Sequence, residues 1–353
     1  DLIPFAGVNN PIDFTGQVLN ERKLLEDSMR YVIDEADYDS QILYLASLPI
    51  SQFTKDISLE IFTSLREQYP NELMILSLIG PAESRASYEA LGYPCFEDHS
   101  LAVRAMAALK YFGEVFQREG PDLQTTISKS EVIVKGQKLS EFEAKKILSK
   151  AGLPITLETL AQTAEEAIHF WRKIKKPIAL KISASNLQHK TEIGGVLLDL
   201  NDEHRIREAF NKLSEIAKEI SKDSPIEGIL ICEMIDNGVE TVLGVVKDPV
   251  FGPTVMFGLG GIFIEILKDV TFRVAPFDVK EAHMMINEIR GRAILDGVRG
   301  APPVDVDALA EALSQLSLFA ATNIDNVDSI DVNPFIVLPR GAKIVDALII
   351  ASD

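Results

Sequence analysis

The chain has 353 residues, and at about 150 residues per domain that is two to three domains, well beyond one small core. Apolar residues make up 46% and charged residues 25%, which excludes disorder as the main state. With 35 basic against 53 acidic side chains the formal charge is −18, which excludes nucleic acid and an anionic membrane as main partners but not a small anion in a local pocket of lysines and backbone amides.

Residues 41–48 (QILYLASL) are predicted as a buried strand, and 57–68 as a helix with Ile57, Ile61 and Leu65 on one face. Residues 72–79 (ELMILSLI) form a second buried strand stopped by Gly80-Pro81. A helix over 83–91 ends at Gly92, and Ser100 caps a longer one running to 116. Strands that are apolar throughout and separated by helices imply a parallel sheet covered on both faces. Residues 1–120 therefore read as a flavodoxin-like α/β domain, whose loop after Ile79 lies where such sheets hold ligands. Residues 121–138 lack a sustained period and read as a linker, with one short strand at 132–134.

From residue 139 the pattern changes. Ser140 and Glu143 make a capping box before a helix over 144–151, with Gly152 as its stop. A strand over 154–157, a helix over 164–174 capped by Thr163, strands over 177–182 and 195–200 and a helix over 203–220 follow. Strands over 228–234, 239–246 and 254–257, a helix over 306–321 and a terminal hairpin complete an α+β domain over 139–353. The cysteines Cys95 and Cys232 lie far apart and supply neither a disulfide framework nor a thiolate zinc site, so a reducing, cytoplasmic compartment is expected. No uncharged apolar run approaches the roughly 18 residues of a membrane helix. The start Asp1-Leu2-Ile3-Pro4, without methionine, leads to the expectation of a piece of a longer polypeptide.

Lys181 stands in an otherwise apolar strand, where a lysine is costly unless it meets an anion. The bland reading is an edge strand with its ammonium in water. Next comes His189-Lys190-Thr191-Glu192-Ile193-Gly194-Gly195. Gly194 and Gly195 let backbone amides approach phosphate oxygens, while Lys190 and Thr191 add a charge and a hydroxyl. His189 is of the type that accepts a phosphoryl group at neutral pH. A plain turn and a surface histidine are the bland readings. Glu233 and Glu240 either take donors from a base or ribose or are solvated strand ends. Gly258, Gly260 and Gly261 mark a tight turn or a backbone pressed against a ligand, and Arg273 meets a phosphate or one of the many carboxylates. In the terminal hairpin, a turn centred on Pro339-Arg340 sets Asn333 opposite Asp346, with Asp331 beside Asn333. Two oxygen ligands side by side suit a hard cation such as Mg²⁺. A glycine bulge would turn one of them away and leave a solvent-facing hairpin.

Together, Lys181, the HKTEIGG loop, Glu233, residues 245–276, Arg299-Gly300 and Asp331-Val332-Asn333-Pro334 resemble the ATP-grasp half of NDP-forming acyl-CoA synthetases. That family includes ADP-forming acetate–CoA ligases and relatives of succinyl-CoA synthetase. The resemblance covers residues 139–353; residues 1–120 resemble the family's second flavodoxin-like ligase domain through Asn10-Pro11-Ile12-Asp13 and the strand–helix pattern. It implies that Lys181 touches ATP phosphates and the 189–195 loop covers them, that Glu233 sits at the base-binding hinge and Glu240 near the ribose, and that Asn333 and Asp346 hold Mg²⁺. Lys190, Thr191, Gly194, Gly195, Gly258, Gly260, Gly261 and Arg273 are the further nucleotide-contacting candidates. His189 occupies the place of the histidine that carries phosphate in ADP-forming members.

The implied reaction is acyl-CoA + ADP + phosphate ⇌ carboxylic acid + CoA + ATP, with CoA a substrate of the complete enzyme. In fused members a CoA-binding domain and a first ligase domain with another phosphorylated histidine precede this region. They are expected on a partner chain or a missing N-terminal part, in an oligomer. Two other readings stay open: an ATP-grasp ligase joining a carboxylate to an amine, which has no need of His189, and a nucleotide-sensing module of a protein acetyltransferase.

Overall fold

The structure is a computed structural model and describes residues 7, 9–14, 22–36, 38–117, 120, 133–185, 190, 192–220, 225–261, 264, 266–298 and 300–352. His189, Thr191 and Arg299 lie outside the described residues. The chain divides into two compact units, Asp1–Glu119 and Gly120–Asp353.

The first unit runs α1 (Arg22–Glu35), β1 (Gln41–Ala46), α2 (Lys55–Gln68), β2 (Met74–Leu78), α3 (Ala82–Glu89), β3 (Cys95–Phe96) and α4 (His99–Phe116). β1 and β3 flank β2, and both are parallel to it. Every residue of β2 is buried, as a strand covered on both faces requires. Ile61, Phe62 and Leu65 of α2 enter the core with Met74, Leu76 and Leu78, whereas Ile57, in the first turn, is 37% exposed. The cap of α4 is Asp98 rather than Ser100: its carboxylate accepts the Ser100 N–H at 2.7 Å, a charged acceptor at the positive end of the helix. α1 is absent from the predicted elements although Leu25, Met29 and Ile33 recur at helical spacing; Met29 is buried in the core and Leu25 and Ile33 pack against it.

The second unit holds two antiparallel sheets. α5 (Glu141–Lys150), β4 (Glu158–Ala161), α6 (Ala164–Ile174), β5 (Ile178–Ala184), β6 (Val196–Leu200), α7 (Glu203–Ile220) and β7 (Ile226–Glu233) form a sheet of order β4-β7-β5-β6, with α6 and α7 sharing one core against it. β8 (Val239–Asp248), β9 (Gly252–Leu259), β10 (Val270–Val274), α8 (Val279–Asn287), α9 (Val306–Thr322), β11 (Val327–Val337), β12 (Ala342–Ile344) and β13 (Ala347–Ala351) follow. Their sheet has the order β10-β9-β8-β11-β12, with β13 also on β11, and α5, α8 and α9 bury one of its faces. Among the described residues no helix is long and apolar enough to cross a membrane.

Two predicted strands change partners. The segment before β4 does not join that strand: Ile155 bridges Ile344, and the Ile344 N–H donates to the Pro154 carbonyl at 2.8 Å, so this stretch ties one sheet to the other. The expected strand at 132–134 is not formed by Ile133 and Val134. Their N–H groups donate to side chains instead, Asn323 Oδ1 at 2.9 Å and Gln137 Oε1 at 3.3 Å; Val132 lies outside the described residues.

Candidate functional site

Ile178, Leu180 and Ile182 of β5 face the core shared with α6 and α7, so the alternation turns Lys181 to the other face. β5 lies between β7 and β6 and Lys181 is 6% exposed, which removes the solvated-edge reading. Its Nζ donates to Glu141 Oε1 at 2.7 Å and to the Val345 carbonyl at 3.2 Å, and lies 3.6 Å from Asp346 Oδ2. Lys190 donates to Glu141 Oε2 at 2.6 Å. Lys145, one turn along α5, is wholly buried and reaches Glu141 Oε1 at 3.0 Å, Glu158 Oε2 at 2.5 Å and the Val345 carbonyl at 3.2 Å. One carboxylate thus gathers three ammonium groups from α5, β5 and the loop before β6. Burial alone would raise the Glu141 carboxyl, but Lys181, Lys145 and Lys190 overcome it and hold it well below the usual carboxylate range. Burial alone would likewise lower the Lys181 ammonium, and Glu141 and Asp346 more than reverse this. Buried charges persist here because each is paired and hydrogen-bonded. Cys232 sits beside Glu158 across β4 and β7, and burial pushes its thiol up to about 11, so it is an inert thiol rather than a nucleophile.

The acidic side of the site comes from the terminal hairpin. Phe335 pairs with Ile344 and Val332 with Ala347, so Asn333 stands opposite Asp346, and the Asn333 N–H donates to the Asp346 carbonyl at 3.2 Å. The register is the one expected from the turn at Pro339-Arg340. Between Val332 and Phe335 the bulge lies against β8, where three steps of β11 match two on the partner; against β13 the register shifts only between Val327 and Ser329, away from Asn333. Val332 and Phe335 are both buried in the core, which leaves Asp331 and Asn333 on the open face. Burial and the charge of Asp346 raise the Asp331 carboxyl; burial and Glu141 raise that of Asp346 against the opposing lysines. Among the described residues no group of three or more His, Cys, Asp or Glu side chains is arranged to hold a metal ion. The donor set of Asn333 and Asp346, with Asp331 alongside, nevertheless fits a hard cation that keeps water and phosphate ligands, because a divalent charge would relieve the repulsion between these carboxylates.

The remaining predicted residues divide. Glu233 is 5% exposed, so it is no solvated strand end: its Oε1 accepts the Leu157 N–H at 2.9 Å, and Lys176 Nζ lies 3.5 Å from Oε2. Glu240 is exposed on β8, opposite Ile336, and its carbonyl accepts the Gly260 N–H at 2.8 Å. A Cβ on Gly260 would lie 3.1 Å from Glu240 Cβ, and one on Gly258 would lie 2.9 Å from the Asp269 carbonyl oxygen. The chain's own packing therefore requires glycine at 258 and leaves little room for a side chain at 260, and Gly258 lies within β9 rather than after it. Gly261 turns at φ +61°. A Cβ on Gly195 would lie 2.9 Å from the Lys190 carbonyl oxygen, which accepts the Gly195 N–H at 2.7 Å, so this glycine closes the turn that carries Lys190; Gly194 beside it is exposed with φ +70°. Arg273 alternates with the exposed Phe272 and Val274 and points to the helix-covered face, where it pairs with Glu281 at 2.5 Å and Glu288 at 2.6 Å. Carboxylate pairing, not the open face of Asp331, is its place. Sequence reasoning missed Glu141, Lys145 and Glu158. The Glu141/Lys145 spacing was visible, but such pairs usually lie on a helix surface.

Residues 132–351 match the family described as ATP-grasp domain. The 4-hydroxybutyrate–CoA ligase (ADP-forming) of Nitrosopumilus maritimus (strain SCM1) is 31% identical over 98% of this chain and 51% of its own length. The β subunit of the acetate–CoA ligase (ADP-forming) II of Pyrococcus furiosus is 39% identical over 62% of this chain and 94% of its own length. A solved structure of the dinucleotide-forming acetyl-coenzyme A synthetase 1 of Ca. Korarchaeum cryptofilum is in complex with coenzyme A and Mg-AMPPCP, its phosphohistidine segment pointing towards the nucleotide-binding site. It is 40% identical, with a TM-score of 0.53, over 61% of this chain and 94% of that one. Fold, lysine cluster and family match together define an ATP-grasp, nucleotide-binding protein. Within that class, the chain belongs to the ADP-forming acyl-CoA ligase family. It spans about half the length of the ligase from Nitrosopumilus.

Proposed function

We propose that the chain is the nucleotide-side half of an ADP-forming acyl-CoA synthetase, catalysing acyl-CoA + ADP + phosphate ⇌ carboxylic acid + CoA + ATP through an acyl phosphate and a phosphohistidine. The observation that carries this is the meeting of Lys181 and Lys190 with the Asn333/Asp346 pair between two sheets. Phosphoryl transfer asks for in-line positioning and neutralised charge more than for covalent help from the protein. Lys181 and Lys190 give fixed positive charge at the polyphosphate; the exposed turn at Gly194 gives a backbone amide, while the Gly195 N–H is spent on the Lys190 carbonyl and holds the turn in shape. Glu233 and Glu240 belong to the base and ribose end. Asn333 and Asp346 are the residues that would hold Mg²⁺, which supplies charge neutralisation on phosphate oxygens when bound. His189 takes and passes on the phosphoryl group, dividing a long transfer into two shorter ones.

The CoA-binding domain and the first ligase domain belong to a partner chain or to the rest of a longer polypeptide, in an oligomeric enzyme. A relative whose β subunit is a separate chain supports this reading. Residues 1–120 serve as the second ligase domain, and 121–138 link it to the ATP-grasp domain of 139–353. Calorimetry tests the nucleotide site: the chain binds Mg·ADP, and Asp346→Asn weakens the Mg²⁺-dependent affinity without changing the circular dichroism. Absence of Mg²⁺-dependent nucleotide binding by the folded wild type defeats the proposal. The relay is tested in the assembled enzyme, where His189→Ala should abolish an acid-labile, base-stable phosphoenzyme on this chain; phosphoryl transfer that survives the change rules the relay out.

A further inference from the structure

The lysine cluster is not made of equivalent members, and counting donors separates them. An ammonium group has three N–H directions. Lys145 has more partners than donors, with Glu141, Glu158, the Val345 carbonyl and Cys232 Sγ at 3.6 Å all around its nitrogen, and has no exposure. It is therefore a structural cation. Lys181 places two, on Glu141 and Val345, with Asp346 at 3.6 Å beyond hydrogen-bond reach, so one direction remains. Lys190 places one on Glu141. Both lysines with donor capacity left are fixed on the two oxygens of the same carboxylate, which holds their nitrogens within about 7 Å of each other, a span one phosphoryl group can bridge.

Glu141 has no visible need for this arrangement on its own account. The start of α5 is already capped by the reciprocal Ser140/Glu143 box, and Lys145 keeps Glu158 and Val345 whatever Glu141 does. Yet the Glu141 carboxylate is 4% exposed and takes ammonium groups from three separate segments. We propose that Glu141 is a positioning residue: it sets Lys181 and Lys190 as a two-pronged donor for the polyphosphate of the nucleotide, and it does so without touching the nucleotide. The inference rests on the nucleotide reading of the site. The spare donors of Lys181 and Lys190 reach the phosphate while Glu141 keeps its hold on both.

The test is binding of ADP and of adenosine to the whole chain by calorimetry. Positioning through charge-assisted hydrogen bonds predicts that Glu141→Gln weakens ADP binding about tenfold or more and changes adenosine binding less than about twofold. A structural role would weaken both alike. The pH profile adds a second readout. Lys181 is faced by Glu141 and Lys145 from α5, Lys190 from the loop, Cys232 from β7 and Asp346 from the hairpin. Without the Glu141 charge the Lys181 proton is held less firmly, so the alkaline loss of ADP affinity begins at lower pH in the Gln variant. Glu141→Asp keeps the charge but shortens the reach, and its ADP affinity should fall between wild type and Gln; if the Gln variant fails to fold, this selective loss in Asp decides the matter. Equal losses for ADP and adenosine, or unchanged ADP affinity, overturn the proposal. A wild-type chain that binds no ADP would instead remove the nucleotide reading on which it stands.

Discussion

Asp331 lies on the open face of the larger sheet with its carboxyl raised by burial and by the charge of Asp346. A raised acid in the folded state means that the fold retains a proton which the unfolded chain has already released. Stability therefore falls as pH climbs from the ordinary carboxylate value to the raised one, and the full cost is present above it. Asp331→Asn should accordingly raise the melting temperature of the nucleotide-free chain at neutral pH, and the gain should shrink as pH falls through the ordinary carboxylate value towards about pH 3, where both states are largely protonated. Mg²⁺ should shrink it too, since it neutralises the same charge. Scanning fluorimetry at the two pH values, with and without Mg²⁺, reads this directly; equal melting temperatures at pH 7 would count against the repulsion. At this scale Lys181 was legible, because a charge inside an apolar strand is a visible anomaly. Glu141 was not. Its importance comes from Lys181, Lys190 and the Val345 backbone, brought to α5 from segments up to 200 positions away.

Among the elements, α5 bears the largest share of the site relative to its length, since its first residue holds the lysines and its second turn supplies Lys145. The Ser140 side chain accepts the Glu143 N–H at 3.3 Å, and Glu143 accepts the Ser140 N–H at 3.0 Å. Ser140→Ala removes half of this cap and should cost about 1 kcal/mol of unfolding free energy. Because Glu141 lies in the turn being capped, ADP affinity should fall as well. Urea unfolding together with calorimetry checks both, and a loss of stability without loss of affinity would mean that the helix end is held by its packing rather than by the box. The box was legible in the sequence, and so was the pairing of Asn333 with Asp346, since turn chemistry and strand alternation fix a hairpin locally. The face of Arg273 was not legible. β10 was not among the predicted strands, and without the strand no alternation could assign its guanidinium to Glu281 and Glu288 on the far side of the sheet.

For the molecule as a whole, parallel pairing in the first unit follows from strands spaced by helices, and antiparallel pairing of the larger sheet in the second from strands that follow one another directly. The smaller sheet, by contrast, is antiparallel although α6 and α7 lie between its strands. The bridge from Ile155 to Ile344 between the two sheets of the second unit had no such signal, because it joins segments far apart in the chain. The lysine cluster has a further consequence at this scale. Its three ammonium groups are matched one for one by Glu141, Glu158 and Asp346, so beyond the cleft their fields cancel, and an approaching nucleotide meets the field of a body with formal charge −18. The screening length contracts from about 30 Å at 0.01 M ionic strength to about 8 Å at 0.15 M, which weakens that repulsion along the approach. Stopped-flow measurements with a fluorescent ADP analogue should therefore show association speeding up with added salt, the reverse of an electrostatically steered encounter. Dissociation, governed by short contacts inside the cleft, should change far less. A falling association rate would mean that the lysines act well beyond the cleft; otherwise nucleotide uptake is slowest in the most dilute buffer.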